Sequence, residues 1–522
     1  MIYYMRDGEL ENGRPCKVEM RRLLQETAVR FFCVLVFAVC WLPLRANAQS
    51  AGPARKHQGS AAATAPGGPG AGHAASQASS GDSAAESSTD DASGDAGTIF
   101  PHTLTGRYWI SGQANVILQG YGAFKAAYSG PNSLTNWAQS ATTHLLTLYT
   151  GYELSPSTEV FADIEDATGN GVGNEDGLGG YVNLDVVRIR QKVAGAQAPY
   201  VAQAMIREII PLTSERMEAD RDELDLATSL PARRIEVRLG KMDLTDFFDV
   251  NTYGSDSNLQ FLNWSVDDNG TYDVAANARG YTEALVMEYD DRSHSARFAE
   301  ALMPKVPFGS FLDADLARSR AENLELEARG NHILHRDGVV RVLGYLNHAN
   351  MGNYRQANAE FLAGQTPTAD ITATRREGRH RYGFGVNMEQ EITNDIGVFG
   401  RLGWSDGHNE AFCYTEDDRT LQFGGLVKGS SWRRSSDRAG VAFVANGIVP
   451  EHQQYLALGG LGIMLGDGGL TYGSEKIVET FYTAHLWRGF SMSYDFQHVT
   501  NPGYNQARGP VAVSAVRFHT DF

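Results

Sequence analysis

Arginine and glutamate alternate over one short stretch of the sequence, at Arg234, Glu236 and Arg238. Successive side chains of a β-strand point to opposite sides, so in an extended chain these three groups share one face. A guanidinium group donates hydrogen bonds in a planar fork and a carboxylate accepts them, which suits contact with polar solutes. The opposite face of this stretch is aliphatic and consists of Ile235, Val237 and Leu239. We therefore predict a strand with one wet face, and this charged face is the first candidate site.

The same pattern places further charged groups on polar faces. Asp495, Arg517 and His519 occupy such faces in the last two predicted strands, while Arg188 and Arg190 share one face of their own segment. The apolar residues on the opposite faces of the last two strands are Phe490, Met492, Tyr494, Phe496 and Phe518. The five charged residues complete the set of candidate site residues.

No catalytic or metal-binding pattern accompanies these charges. The sequence contains no Gly-x-Ser-x-Gly elbow, no phosphate-binding glycine loop and no histidine pair at a recognised zinc spacing. Asp267, Asp268 and Asp273 flank the dipeptide Asn269-Gly270, where we expect an ordinary turn in an external loop rather than a cation site. We expect no cofactor, no metal and no enzymatic activity.

Period-two alternation recurs between Phe100 and Phe522 and is interrupted by turn dipeptides. These dipeptides are Asn170-Gly171, Asn269-Gly270, Asp337-Gly338, Asp406-Gly407, Asn446-Gly447 and Asp467-Gly468. Such alternation fits either a soluble sandwich with apolar faces inward or an outer-membrane barrel with apolar faces outward. Three features favour the barrel: an aromatic residue that closes the last alternating strand, and the export signal and the lack of disulfides that are described below. We predict an all-β, antiparallel transmembrane barrel of about 16 strands.

The amino terminus has the layout of an export signal. A basic segment that starts at Met20 precedes an apolar run from Phe31 to Leu42 and a small-residue cleavage site that ends at Ala48. We predict a cleavable signal peptide over residues 1–48, with Met20 as the expected true start. The apolar run is too short to span a bilayer comfortably.

The sequence beyond the signal divides into a linker and one large domain. Residues 49–98 contain alanine as their only hydrophobic type, so we predict a low-complexity periplasmic linker there and assign the barrel to residues 99–522. Three of the four cysteines precede residue 49, which leaves Cys413 without an intramolecular partner. With 62 acidic against 45 basic residues the formal net charge is −17, which argues against binding to nucleic acid.

Short motifs spread over residues 108–522 resemble those of the carbohydrate-selective porin (OprB) family, and they keep the family's order. The principal motifs are Tyr128-Ser129-Gly130-Pro131-Asn132-Ser133-Leu134, Leu244-Thr245-Asp246-Phe247-Phe248-Asp249, Gln260-Phe261-Leu262-Asn263-Trp264, Ala278-Arg279-Gly280-Tyr281-Thr282, Gly466-Asp467-Gly468 and Arg508-Gly509-Pro510-Val511. The sequence departs from the family's pattern at two places. Asp163-Ile164-Glu165-Asp166 stands where Asn-Pro-Glu is common, and Glu283 stands where Trp is usual.

The resemblance implies a barrel in the bacterial outer membrane that passes mono- or small oligosaccharides without energy input. A neutral, hydroxyl-rich solute requires paired donors and acceptors at a constriction, with binding weak enough for release. On this basis we place the charged candidates in the lumen, the apolar faces against lipid, and Phe522 as the terminus used in barrel assembly. The implied partners are the sugar, outer-membrane lipid and lipopolysaccharide, and the barrel-assembly machinery. The resemblance is compatible with a monomer and with a trimer.

Three alternatives remain at this stage. The first is a general or anion-preferring small-solute porin. The second is a barrel hydrolase, which is disfavoured because Ser514 and His519 fall on opposite faces of the last strand. The third is a secreted, soluble glycan-binding β protein. The charged stretch from Ser214 to Leu226 resembles a helix, and we expect a solvated loop there rather than a plug.

Overall fold

The computed structural model describes residues 98–100, 102, 106–190, 199–333, 335–412 and 414–522. The chain divides into two units, Met1–Ala63 and Thr64–Phe522, and the second is described below. The predicted signal peptide and nearly all of the predicted linker lie outside the described residues, as does Cys413. None of the helices in the described part of the chain is long and apolar enough to span a membrane.

Sixteen antiparallel strands form a closed barrel, which confirms the predicted fold. Neighbours along the chain pair around the barrel, except that β4 pairs with β7 because β5 and β6 form a separate two-stranded ribbon. The strands are β1 Tyr108–Tyr121, β2 Gln139–Ser155, β3 Thr158–Gly169, β4 Tyr200–Pro211, β5 Arg216–Glu218, β6 Ser229–Pro231, β7 Arg233–Met242, β8 Thr282–Asp291, β9 His294–Ala301, β10 Arg320–Ile333, β11 Arg336–Met351, β12 Arg376–Thr393, β13 Ile396–Ser405, β14 Arg419–Lys428, β15 Arg438–Gly447, β16 Glu475–Trp487, β17 Phe490–Thr500 and β18 Val511–Asp521.

Short helices occur only in the connections between these strands, within the described residues. The α-helices are α1 Val187–Arg190, α2 Trp264–Asp267, α3 Tyr354–Leu362 and α4 Pro450–Ala457. The 3-10 turns are Val172–Glu175, Leu184–Val186, Leu244–Asp246, Thr372–Thr374, Gly429–Trp432 and Pro502–Tyr504.

The barrel closes where its last strand meets its first. β1 pairs with β18 over a continuous register from Gln113↔Asp521 to Tyr121↔Val513. The terminal Phe522 extends this seam, because its backbone N–H donates to Gly112 O at 2.8 Å and its backbone oxygen accepts from Gly112 N at 2.6 Å. A Cβ at position 112 would lie 2.6 Å from the Phe522 ring, so glycine permits this close approach. The closed seam leaves the barrel sheet without a free edge.

Alternation along the strands separates an inner from an outer face. In β7 the side chains of Arg234, Glu236 and Arg238 are buried, whereas Leu239 is 56% exposed. In β17 Asp495 is buried and Tyr494 is 52% exposed. The remaining residues predicted to face lipid lie on the outer face, where neighbouring side chains cover them in part: Ile235, Val237, Phe490, Met492, Phe496 and Phe518.

The two ends of the barrel differ in the length of their connections. At the turn rim, where β1 begins and β18 ends, most neighbouring strands are joined by one to three residues, as between β8 and β9. At the loop rim the connections are long and include residues 243–281 and 448–474. Two of the predicted turn dipeptides are misplaced, since Asp337-Gly338 and Asn446-Gly447 lie at the ends of β11 and β15. Both dipeptides lie next to a connection in which the chain reverses, which explains why their residue types predict a turn at a position that belongs to a strand.

Candidate functional site

The connection between β7 and β8 lies inside the barrel; we call residues 243–281 the long inner segment. Every residue from 261 to 276 is buried. The segment has no strand ladder, so its backbone groups need other partners. Asx side chains satisfy some of them locally, for example Asn263, whose Oδ1 accepts from Ser265 N at 2.9 Å.

The turn predicted at Asn269-Gly270 exists, but its predicted position in an external loop is wrong. Asn269 Oδ1 accepts from Thr271 N at 3.1 Å, which is the expected Asx turn. The turn is buried against the barrel wall, where a Cβ at Gly385 of β12 would lie 2.5 Å from Asn269 Nδ2. The glycine on the wall therefore makes room for a turn that sequence alone assigned to the surface.

Arg401 of β13 fixes the long inner segment to the wall. Its side chain is fully buried and donates to the backbone oxygens of Val266 at 2.6 Å, Asp267 at 2.8 Å and Asp249 at 3.0 Å. It also donates to Ser255 Oγ at 2.6 Å and forms an ion pair with Asp249 at 3.0 Å. One guanidinium group thus joins three turns of the segment that are distant in sequence.

Polar side chains from most of the other strands between β10 and β18 repeat this support. Glu479 of β16 accepts from Leu262 N at 2.6 Å, and Glu325 of β10 accepts from Asp249 N at 2.8 Å. Further wall residues that hydrogen-bond to the segment are Asn323, Tyr345, Asn347, Asn387, Glu389, Gln422, Asn446, Thr483, Gln497 and Arg517. The segment is consequently held around more than half of the barrel's circumference.

Residues 170–190, between β3 and β4, form a short inner segment against the first strands. Asp185 Oδ2 accepts from Asn115 of β1 at 2.8 Å, and Asn183 donates to Thr143 of β2 at 3.0 Å. The two inner segments also join each other, since Trp264 N donates to Tyr181 O at 2.9 Å.

A narrow, partly open cavity lies between the two inner segments and the inner faces of β1 to β4. Eight carboxyl groups and one guanidinium group, that of Arg188, border it among the described residues. The carboxyl groups belong to Asp163, Glu165, Asp185, Asp243, Asp246, Asp256, Asp267 and Asp268. Two of these, Asp163 and Glu165, lie in the stretch that departs from the family pattern. The cavity is acidic, with acceptors in large excess over cationic donors.

Aromatic rings form the apolar part of the same cavity. Trp264, Tyr281, Tyr149 and Tyr414 border it, and Trp264 packs against Tyr414 with ring centroids 5.6 Å apart. Trp264 Nε1 is buried and has no hydrogen-bond partner among the described residues. A ring face beside a free indole N–H and several carboxyl oxygens is suited to a ligand with both C–H and O–H surfaces.

Among the predicted site residues whose side chains the structure describes, Arg188 alone borders the cavity. It lies in the helical turn α1, so the strand alternation from which it was selected does not apply there, because residues 187–190 are not extended. Its Nε donates to Glu165 at 3.3 Å and its Nη2 lies 3.7 Å from Asp243. The side chain of Arg190 lies outside the part of the chain that the structure describes.

The other predicted wall residues lie elsewhere on the inner face. Arg234 pairs with Glu236 at 2.6 Å and with Asp290 at 2.8 Å, and Arg238 lies 2.7 Å from Glu236. They belong to an ion-paired belt in the half of the barrel nearer the turn rim, formed by Glu159, Arg207, Arg234, Glu236, Arg238, Glu288, Asp290, Arg297, Glu325, Glu327, Arg329, Arg341 and Glu389. Belt charges compensate one another, which distinguishes the belt from the acidic cavity.

None of the candidates in the last two strands borders the cavity, and Arg517 is the one among them with a hydrogen bond to the long inner segment in the described part of the chain. Arg517 donates to Gln260 O at 2.9 Å, and its other terminal nitrogen donates to Ser257 O. Asp495 accepts from Gln497 at 3.0 Å. His519 lies 2.9 Å from Asp521 at the turn rim. The sequence placed these residues on the correct face but could not identify what they contact.

The prediction of a solvated loop from Ser214 to Leu226 is wrong in part. Residues 212–232, which we call the turn-rim segment, contain the β5–β6 ribbon in place of a helix. At the tip of the ribbon Asp225 and Leu226 are 3% and 2% exposed. Leu226 belongs to the apolar cluster that contains Trp109 and Phe161 on the inner wall.

Ion selectivity of the barrel should depend on pH through the cavity carboxyls. Burial raises the pKa of Asp267 to about 8, so this group is neutral below that pH and ionises as the pH rises through it. We expect the preference for K⁺ over Cl⁻ to increase between about pH 6 and about pH 9, because negative charge then appears in the cavity. Reversal potentials in planar bilayers under a KCl gradient measure this preference.

The variant Asp267→Asn should show a smaller increase over the same pH range, since it removes one titrating group and keeps the side chain's size. Asp313→Asn, at a half-buried position on the connection between β9 and β10 and outside the cavity border, serves as the control and should behave as the unmodified protein does. Equal pH responses of Asp267→Asn and the unmodified protein would contradict the assignment of Asp267 to the ion path.

Comparison with known proteins relates this architecture to a family. The sequence model of the carbohydrate-selective porin, OprB family, matches residues 131–522. The Pseudomonas putida OprB structure at high pH is similar at a TM-score of 0.59 and 13% identity, covering 80% of this chain and 94% of that chain. The Acinetobacter baumannii outer membrane channel DcaP aligns at a TM-score of 0.43 and 8% identity, covering 80% of this chain and 97% of that one. No curated protein sequence matches significantly. The family match covers well over half of the sequence, and the chain belongs to the carbohydrate-selective porin (OprB) family.

Proposed function

We propose that this outer-membrane carbohydrate channel selects mono- and small oligosaccharides at the cavity between its two inner segments. The observation that carries the proposal is the combination of carboxyl oxygens, aromatic rings and an unpartnered indole N–H around one cavity. Passage requires no chemical change in the sugar, so the inferred role is that of a passive pore and not of an enzyme. In this proposal the hydrogen bonds and ring contacts between the cavity and the sugar are numerous but individually weak, so the sugar can be released.

The cavity offers a sugar what its surface requires. Carboxyl oxygens accept hydrogen bonds from hydroxyl groups, and carboxyl groups that burial keeps protonated also donate them. Trp264 Nε1 supplies a further hydrogen-bond donor. The guanidinium group of Arg188, which borders the cavity beside Glu165, supplies another. The rings of Trp264 and Tyr281 can pack against the C–H face of a pyranose.

The acidic lining argues against the anion-preferring alternative. Eight carboxyl groups against one guanidinium group make the cavity unfavourable for an anion wherever some of the carboxyls are ionised. A general small-solute pore is also less consistent with a lumen that two anchored inner segments partly fill. We therefore expect neutral sugars to pass faster than anionic sugars of the same size.

The remaining predicted roles complete the proposal. The ion-paired belt, with Arg234, Glu236 and Arg238, lines the wall between the cavity and the turn rim and contributes little net attraction. The outward apolar residues contact lipid, with lipopolysaccharide at the loop rim, and Phe522 is the terminus that the assembly machinery uses. Export by a cleavable signal peptide and assembly as a monomer or a trimer belong to the same proposal.

Liposome swelling tests the proposed function. Swelling should be faster with glucose and maltose than with gluconate, because gluconate carries a negative charge into an acidic cavity. Swelling with gluconate at the same rate as with glucose would contradict selection of neutral sugars.

The substitution Trp264→Phe tests the cavity itself, because it keeps a ring and removes the indole donor. One lost hydrogen bond of about 0.5–1.5 kcal/mol should raise the half-saturating glucose concentration roughly 2- to 10-fold. Trp404→Phe, on the outer face of β13, is the matched control and should leave this concentration unchanged. Equal saturation behaviour of the two variants would exclude the indole donor as a sugar contact.

A further inference from the structure

The turn-rim segment is unusual for its position in the barrel. Its neighbours at the same rim are tight, such as residues 292–293 between β8 and β9, whereas residues 212–232 connect β4 to β7. Nothing in the pairing of these strands requires so long a connection, because Leu212 N already donates to Arg233 O at 2.9 Å. The two strand ends are thus close enough for a two-residue turn.

The segment folds back on itself as a ribbon with a compact tip. Met217 pairs with Leu230 at the centre of the ribbon. Ala219 N donates to Thr228 O at 3.1 Å, and Asp222 N donates to Asp225 O at 2.8 Å, so the tip is closed by its own hydrogen bonds. A tip that is ordered in this way can act as one unit.

A buried ion pair holds the tip against the inner wall. Asp225 lies 2.5 Å from Nη1 of Arg207 in β4 and also accepts from Nη2 at 2.8 Å. The same guanidinium group pairs with Glu159 of β3 and Glu236 of β7, each at 2.8 Å. Because Arg207 is fully buried within the barrel wall's inner face, Asp225 must enter the lumen to reach it.

Apolar contacts hold the tip on its other side. A Cβ at Gly151 of β2 would lie 3.1 Å from Leu226 Cδ1 and 3.2 Å from Phe161, so the missing side chain admits the leucine. Arg221 donates to Tyr108 O at 3.3 Å, and its guanidinium carbon lies 5.8 Å from the Trp109 ring centroid. These residues belong to the first three strands, whose inner faces also border the cavity.

The tip also brings carboxyl groups to the same part of the lumen. Burial raises the pKa of Glu223, and the charges of Asp222 and of Asp163, a residue of the cavity border, raise it further. Leu226 lies beside Gly151 and Phe161, which are two residues along β2 and β3 from Tyr149 and Asp163 of the cavity border. The tip is therefore next to the cavity, on its turn-rim side. A solute that leaves the cavity in this direction meets the tip next.

We propose that the tip of the turn-rim segment, residues 219–228, is a second restriction in series with the cavity and sets the upper size limit for sugars that leave the channel. The restriction is formed by Asp225 and Leu226, which dock to neighbouring strands on one side of the lumen, together with Asp222 and Glu223 of the same tip. It acts on any solute by size, so its effect on ion conductance does not depend on the proposed sugar selectivity.

The test replaces residues 213–232 by Asn-Gly, so that the paired Leu212 and Arg233 are joined by a two-residue hairpin turn. Single-channel conductance in KCl should rise about twofold or more, because the tip no longer narrows the exit. In liposomes, maltotriose should swell vesicles at a rate closer to that of glucose. Heat-modifiable migration on a denaturing gel verifies that the barrel has folded.

A second variant, Asp225→Asn combined with Leu226→Ser, releases the tip without shortening the chain. The barrel wall should stay folded, because Arg207 keeps two carboxylate partners, Glu159 and Glu236. It should increase open-channel current noise and conductance. Glu215→Gln is the control, because the Glu215 side chain is 61% exposed and pairs only with the exposed Arg292 among the described ion pairs. Unchanged conductance and an unchanged size limit in either folded variant overturn the second restriction. Absence of sugar flux in the unmodified protein would instead count against the proposed function.

Discussion

The interaction on which this structure depends is the buried contact between Arg401 and the long inner segment. A barrel strand satisfies its backbone through its neighbours, but a segment inside the lumen has no such ladder. Each buried carbonyl or N–H group without a partner would destabilise the fold. Arg401 satisfies three backbone oxygens and the carboxylate of Asp249 together, which is why one wall residue can set the course of a segment that crosses the lumen.

This constraint explains the division of charge inside the barrel. Two arginines of wall strands that do not border the cavity, Arg401 of β13 and Arg517 of β18, are directed to backbone oxygens of the long inner segment. Carboxyl groups of the inner segments remain at the cavity, with Arg188 as the guanidinium group among them. The acidic character of the candidate sugar site is thus a consequence of how the long inner segment is anchored. The ion-paired belt nearer the turn rim, by contrast, satisfies its own charges.

Period-two alternation was sufficient to predict the barrel and the inner face of β7, because burial of one face imposes that pattern on every strand. The same pattern could not separate wall residues that contact solute from those that support a segment, since both are polar and point inward. Arg517, which supports the long inner segment, illustrates this limit. Pairing between residues distant in sequence, such as Arg401 with Val266, leaves no local signal at all.

The cavity itself could have been inferred only in outline. Between Asp243 and Tyr281 the sequence loses its alternation and gains Asp and Asn at short intervals, which marks a long structured connection without strands. At Asn269-Gly270 that signal predicts a surface turn, and the prediction is wrong because turn chemistry is the same inside a barrel and outside it. The prediction of a solvated loop at the turn-rim tip is wrong for a similar reason: its charges indicate solvent, whereas Asp225 is buried through its ion pair with Arg207.

The most direct test of this account is single-channel recording of Arg401→Ala with urea unfolding of the same protein. Loss of a buried, multiply bonded guanidinium group should lower the free energy of unfolding by about 3–5 kcal/mol. Conductance should rise and become noisy as the parts of the long inner segment that Arg401 holds, at Asp249, Ser255 and Asp267, loosen from the wall. Arg318→Ala, which removes a surface ion pair whose partners are each 60% exposed, should change neither quantity appreciably. If Arg401→Ala keeps the conductance and noise of the unmodified protein, the long inner segment does not depend on this anchor and the account is contradicted.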